Sequence, residues 1–239
     1  MAARDPKANT LYGEGAGLYA RHADASLFNA GYERPAMLEA VGPVDGLRVV
    51  DAGSAAGFYT EHFAQHAAHV TALDLSPAMI ALVQERRLPN VDARVHDLSA
   101  SLDWIASQSV DLISSSLVLH YLIDWGPVMR EFARVLRIGG RLVFSTHHPS
   151  MSDPLTENYF ETQLVRERWN IGGEQREVAF YHRSLESILT PVIDAGFCVE
   201  SVREPHLSVD DEASDEERLL ATRPWFLICA ARRVADVEC

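Results

Sequence analysis

Three aspartates carry most of the chemistry legible in this chain. Asp51, Asp74 and Asp97 each close a β-branched run, in "LRVVDAG", "HVTALDL" and "VDARVHD", and they recur at equal intervals. A carboxylate in such a place can accept paired hydroxyls or attract a cation. The first is followed by a turn pared of side chains, "DAGSAAG", in which Gly53 and Gly57 let a small molecule lie against bare backbone. A single aspartate at a strand end more often forms a turn or caps a helix; three in register with a glycine turn point to a ligand. Histidines form a second group. His120 follows the fourth strand-like run, and His147 and His148 follow the fifth. Each is a candidate base or acceptor-positioning residue, or else a loop histidine that packs. No metal site is expected, because adjacent histidines seldom converge on one ion without further ligands.

The elements around these residues alternate. After "LRVVDAG" the stretch "GFYTEHFAQH" has helical spacing. After "HVTALDL" comes "SPAMIALVQERR", with Ser76 placed as N-cap and Pro77 at the first helical position. "VDARVHD" and "SVDLISSSLVLHY" are the third and fourth strands. "WGPVMREFARVLR" is an amphipathic helix with Val128, Phe132, Val135 and Leu136 on one face, ending at Gly139-Gly140 as C-cap and turn before the strand "RLVFST". Strands alternating with helices imply right-handed βαβ units and a parallel sheet, whose carboxyl edge is where ligands bind. The fold expected is α/β and doubly wound. Its mainly parallel seven-stranded sheet has an antiparallel last strand and a cap inserted after the fifth.

One domain is expected, in four parts: a helical cover over 1–44, a core over 45–147, a cap over 148–183, and a final helix and strand pair over 184–239. In the cover, "YERPAMLEAVG" reads as a helix, and the segment with Tyr12, Tyr19 and Phe28 could fold over the ligand edge. The cap sequence is aromatic and polar without a clean period, so a lid or short hairpin is expected. There Tyr159, Trp169, Tyr181 and His182 could line an aromatic acceptor pocket or form the cap's own small core. A helix from Ser184, kinked at Pro191, ends at Gly196. "FCVESVREP" and "WFLICAARR" make the last strand pair, joined by an acidic, solvated link, "DDEASDEERL".

Bulk properties narrow the partners. The 239 residues carry 21 Lys plus Arg against 34 Asp plus Glu, a net charge of −13. So acidic a surface repels phosphate backbones, and nucleic acid is not expected as a substrate. The opening "MAARDPKANT" has no apolar core, so no signal peptide is expected. No apolar run approaches the roughly 18 residues of a membrane span. Cys198, Cys229 and Cys239 show no metal-like spacing and suit a reducing cytoplasm. Cys198 and Cys229 are expected to be buried, and Cys239 to sit at a frayed terminus.

The glycine turn discriminates between nucleotide ligands. A dinucleotide places its pyrophosphate on a helix N-terminus behind G-x-G-x-x-G. Here the G-x-G step is missing, and Asp51 would repel a pyrophosphate while welcoming an α-ammonium group. An NAD-dependent oxidoreductase is therefore the weaker alternative, although Asp74 would suit its ribose.

The turn instead resembles the first motif of the class I S-adenosylmethionine-dependent methyltransferases, D/E-x-G-x-G-x-G, with Asp51, Gly53 and Gly57 matching and Ala55 in place of the middle glycine. "RVLRIGGRLVFS" resembles that family's helix-to-strand signature, with Ile138 where proline is usual, and "LVLHYLID" resembles the stretch after its fourth strand. The resemblance covers roughly residues 45–147, and is closest to the quinone-biosynthesis and natural-product enzymes. It implies that Asp74 takes both ribose hydroxyls and that Asp97 faces the adenine amino group. Leu75 and Met79 would sandwich the ring, Gly53 would allow close approach of the methionine end, and Asp51 would hold the ammonium through turn amides or a water. Ser54, Gly57, Leu98, Ser115 and Tyr19 complete the expected contacts. The activity implied is methyl transfer by direct in-line displacement to a small aromatic or apolar acceptor, leaving S-adenosylhomocysteine. The chain is expected to work as a cytoplasmic monomer or homodimer. Ala55 keeps a second alternative open, a cofactor-binding protein of this fold without turnover.

Overall fold

The structure, a computed structural model, describes Tyr12, Gly13 and residues 15–235. Cys239 and the first eleven residues lie outside the described residues. The N-terminal cover is α1 (Ala16–Ala25), a π-helical stretch (Leu27–Glu33) and α2 (Arg34–Val41). The core follows as β1 (Arg48–Ala52), α3 (Phe58–Ala64), β2 (His69–Asp74), α4 (Pro77–Glu85), β3 (Val91–Val95), β4 (Val110–Ser115), α5 (Gly126–Val135) and β5 (Leu136–His147). Then come α6 (Pro149–Ser152), the hairpin β6 (Gln163–Ile171) and β7 (Glu174–His182), α7 (Leu185–Asp194), β8 (Phe197–Arg203), α8 (Asp215–Thr222) and β9 (Phe226–Arg233).

The sheet has seven strands in the order β3-β2-β1-β4-β5-β9-β8. β1 to β5 pair in parallel, and β9 runs antiparallel to both β5 and β8. Alternation along the central strands supplies both faces of the core. Val49, Leu112, Val143 and Ile228 pack with Met37, Tyr59 and Phe63 under α2 and α3. Their neighbours Val50, Ile113, Phe144 and Cys229 pack with Phe132, Ile188 and Val192 under α5 and α7. Cover on both faces explains why these strands read as continuous apolar runs.

Local signals account for most element ends. Ser76 Oγ accepts the Met79 amide at 3.2 Å, with Pro77 opening α4, and Ser184 caps α7 on the Ser187 amide at 3.2 Å. Pro35, near the start of α2, cannot donate into the helical ladder and crowds the carbonyl four residues back. The preceding turn widens instead, with the Arg34 amide donating to Asn29 O, five residues earlier. The hairpin turns on Gly172 and Gly173, both at positive φ, the backbone that two-residue hairpin loops require.

Three expectations need correction. Gly139-Gly140 do not cap α5, which ends at Val135. β5 starts at Leu136, and the glycines loop out as a bulge between the pairs Val110–Leu136 and Leu112–Arg141. Gly139 takes φ +77 there, and a Cβ on Gly140 would lie 2.8 Å from Arg137 O. Cys198 is exposed, because it points outward on the edge strand β8 beside buried Phe197, whereas Cys229 is buried as expected. The acidic link contains a helix, α8. Ser214 and Glu217 form a reciprocal capping box, three acids occupy its first turn, and Leu220 is buried.

Candidate functional site

A cavity of about 530 Å³ opens along the carboxyl edge of the sheet. It runs from Asp97 beyond β3, past Asp74 and the Gly53 turn, to Ser116 after β4 and Glu33 of the cover. It therefore crosses the seam between β1 and β4 where strand order reverses, the place where open α/β sheets bind ligands. Its size is that of a small-molecule site.

The turn after β1 is pinned from one side and bare on the other. The amides of Gly53 and Ser54 both donate to Leu73 O at 2.8 Å. Gly53 holds φ +85, and a Cβ there would lie 2.6 Å from the Val118 side chain. Ala55, at the position of the missing glycine, sits at φ 44, at a cost of about 1 kcal/mol for a residue bearing a Cβ. Its amide donates to Asp74 Oδ2 at 2.9 Å, which offsets that strain. Gly57 is left-handed at the start of α3, and a Cβ on it would meet Val83 of α4 at 3.0 Å. It packs the two helices together and does not line the cavity.

The three aspartates differ in depth. Asp74 lines the cavity, with Oδ1 accepting the Ser76 amide at 2.8 Å and Oδ2 that of Ala55. Each oxygen keeps a further acceptor site. Burial pushes this carboxyl up, and the two amides pull it back. Asp97 also lines the cavity and accepts the Ser99 amide at 2.9 Å and its hydroxyl at 2.7 Å. Asp51 lies beneath the turn, outside the cavity lining. Its Oδ2 accepts Thr60 Oγ1 at 2.5 Å, its Oδ1 has no partner among the described residues, and burial pushes its pKa up to about 7. It ties β1 to α3.

Of the other expected contacts, Ser54, Leu75, Leu98 and Tyr19 line the cavity. Met79 and Ser115 are fully buried away from it. Ser116 lines it instead of Ser115, a shift of one residue where side chains alternate between faces.

The histidines are placed differently from the expectation. His120 and His147 stack at 3.8 Å with their rings 12° apart, both buried and neither lining the cavity. Burial holds His147 down to about 3, and burial together with His147 and Arg183 holds His120 well below its usual range. His148 Nδ1 caps α6 on the Ser150 amide, and its Nε2 lies 2.8 Å from Glu204 Oε1, near enough for an ion pair though not aligned as a hydrogen bond.

The cap residues also lie off the cavity. His182 is satisfied on both nitrogens, by Ser152 Oγ at 2.7 Å and Tyr159 O at 2.9 Å. The Tyr159 phenol accepts the Leu185 amide at 3.3 Å, Trp169 packs on the hairpin's own cluster with Phe180, and Tyr181 lies beside Arg183. Tyr159 also packs edge-on against His182, 5.6 Å between ring centroids.

Sequence reasoning passed over Glu33. It is buried yet lines the cavity, and accepts Tyr59 Oη at 2.7 Å, Ser116 Oγ at 2.8 Å and Ser145 Oγ at 2.5 Å. Burial pushes its carboxyl up, while these hydroxyls and Arg34 pull it back. Tyr12 and Tyr121 also line the cavity, their hydroxyls 2.6 Å apart. The only sequence signal was an acid two residues before proline in "YERP".

The wall fits S-adenosylmethionine. Carboxylates face a cationic ligand that carries paired hydroxyls, and bare backbone at Gly53 permits close approach. Leu75, 42% exposed in this structure, offers apolar surface for a ring, and buried Ser54 Oγ has no partner among the described residues.

Comparison with known proteins agrees with this. Residues 50–144 match the methyltransferase domain family. The chain is 36% identical over 128 residues to the malonyl-[acyl-carrier protein] O-methyltransferase of Laribacter hongkongensis, covering 47% of this chain and 41% of that one. It is 34% identical over 109 residues to the ubiquinone biosynthesis O-methyltransferase of Xylella fastidiosa, covering 44% and 43%. It thus spans about four-tenths of the length of these curated relatives. The crystal structure of an S-adenosylmethionine-dependent methyltransferase from Mesorhizobium loti superposes with a TM-score of 0.68 at 28% identity, over 88% of this chain and 100% of that one. Residues 50–144 thus match a methyltransferase domain, within a fold shared with an S-adenosylmethionine-dependent methyltransferase.

Proposed function

We propose that the protein transfers a methyl group to a small-molecule acceptor bound at the Glu33 end of the cavity. The observation that carries this reading is the continuity of one cavity from Asp97 to Glu33. A single space then holds a nucleoside over β2 and β3 and an acceptor over β4 and β5. When bound, S-adenosylmethionine supplies an electrophilic methyl on a sulfonium. Asp74 takes the ribose hydroxyls, Asp97 and the leucines Leu75 and Leu98 hold the adenine, and the Gly53–Ser54 backbone holds the amino-acid end. Asp51 braces that turn from below. Holding both partners in line is the main contribution of the chain, up to roughly 7–11 kcal/mol in well-oriented systems. Tyr12, Tyr19, Tyr121 and Phe58 line the same cavity, which supports an aromatic or apolar acceptor. Both curated relatives bear the names of O-methyltransferases, which supports oxygen as the methylated atom.

His120 and His147 act on this reading as the floor beneath the acceptor end. Replacing both His147 and His148 with Ala should leave cofactor affinity within about twofold. The test of the proposal is incubation with methyl-labelled S-adenosylmethionine and a metabolite extract, followed by mass spectrometry for a small product that gains the label. Tight binding of S-adenosylhomocysteine without any labelled product favours the second reading, a binding protein without turnover, which the departure at Ala55 keeps in view.

A further inference from the structure

We propose that Glu33 accepts the proton lost by the acceptor during methyl transfer, so that the substrate class is a neutral hydroxyl or amine compound and not a carboxylate. This rests on the methyl-transfer reading above. Glu33 is placed on the acceptor half of the cavity. It is held by Ser116 after β4 and Ser145 in β5, whereas Asp74 and Asp97 stand over β2 and β3. Three hydroxyls fill three of the roughly four acceptor sites of a carboxylate, which leaves one on Oε2. Among the described residues no cation is hydrogen-bonded to it: the neighbouring Arg34 guanidinium pairs with Asp24 at 2.9 Å and stacks 3.8 Å from the Phe58 ring centroid. A buried, hydroxyl-bound carboxylate facing a ligand cavity is equipped to take a proton. The histidines at the two strand ends are not, since they are packed into the core or paired elsewhere. A carboxylate acceptor would need no base, and would be repelled by Glu33.

The step balances. An acceptor lone pair forms the new bond to the methyl carbon, and the S–C bond breaks with its electron pair staying on sulfur. The O–H or N–H proton passes to Glu33 Oε2 and leaves later to water. One positive and one negative charge are neutralised together.

The test uses protein loaded with S-adenosylhomocysteine and 4-nitrophenol, whose absorbance reports its ionisation. The charged and titratable groups facing Glu33 are Tyr59 from α3, Tyr19 from α1 and Arg34 on its own segment. Wild type should show the phenolate band below the pH at which free 4-nitrophenol ionises. In Glu33→Gln that band should fall about tenfold, with S-adenosylhomocysteine affinity, measured by calorimetry, within about twofold. Tyr59→Phe, which keeps the carboxylate, should retain the band but raise its lower pH limit, because the lost hydroxyl favoured the ionised form. This second variant decides the matter if Glu33→Gln does not fold. A band unchanged in Glu33→Gln, no 4-nitrophenol binding to loaded wild type, or a lower pH limit unmoved in Tyr59→Phe would overturn the proposal. So would a Glu33→Gln variant that loses S-adenosylhomocysteine affinity and keeps the band, since Glu33 would then serve the cofactor. Failure of wild type to bind S-adenosylhomocysteine would instead sink the methyl-transfer reading itself.

Discussion

Replacing Asp74 with asparagine isolates what its second carboxylate oxygen does. In the wild type each oxygen already accepts one backbone amide, from Ser76 and from Ala55, and has one acceptor site left for a ribose hydroxyl. Asparagine keeps the shape but turns one of those oxygens into a donor. That donor faces an amide N–H on one side and a hydroxyl donor on the other. The loss is one charge-assisted hydrogen bond, about 1.5–3 kcal/mol. This corresponds to a rise of roughly 10- to 150-fold in the dissociation constant of S-adenosylhomocysteine. Calorimetry on the two proteins measures it directly. The melting temperature should move little, because burial already disfavours the wild-type charge and its removal compensates the strained amide contact. An unchanged dissociation constant with an unchanged melting temperature would refute the reasoning and remove Asp74 from the nucleoside site.

Other outcomes follow from the same geometry. Gly53→Ala puts a Cβ 2.6 Å from Val118 at φ +85, and should weaken S-adenosylhomocysteine binding by more than about tenfold, again read by calorimetry. Asp51 has a folded-state pKa of about 7, above the roughly 3.9 of an unfolded chain. Its neutral form is the one the fold favours, so its contribution is full below about pH 4 and falls by up to about 4 kcal/mol as pH rises to about 7. Asp51→Asn should therefore melt higher than wild type near pH 8 and no higher near pH 4, by thermal denaturation at each pH. Cys198 should react with a thiol reagent in the native protein, while Cys229, buried and pushed up to about 12, should react only on unfolding. Mass-resolved labelling separates the two.

Most of the scaffold was legible in the chain because its signals are local. Alternation at Val49-Val50 or Val143-Phe144, the Ser76-Pro77 helix start and the paired glycines at 172–173 each act within a few residues. Asp74, Asp97, Leu75 and Leu98 follow from their positions at strand ends, and all four line the cavity. The Asp51 carboxyl could not be placed, because whether a strand-end side chain turns toward the ligand or toward Thr60 depends on where α3 packs. Likewise His120 and His147 stand at the strand tips where a base was expected. Only the arrival of Phe180 and Trp169 from the hairpin makes that place a core. Glu33 was invisible for the opposite reason. Nothing near it in sequence requires an acid, and its three hydroxyl partners come from α3, the end of β4 and β5.

The widened turn ahead of Pro35 has a consequence for how this end of the molecule tolerates change in length. A segment wound five residues per hydrogen bond holds one residue more than an ordinary coil of the same rise. Dropping any one of Ala30 to Tyr32 would let the coil relax to regular winding, with the ends of the segment nearly where they were. Asn29, which lines the cavity from within the segment, would however turn by up to roughly 100° about the axis. Spacing in this stretch, as much as the identity of its residues, sets what the pocket can present to an incoming molecule.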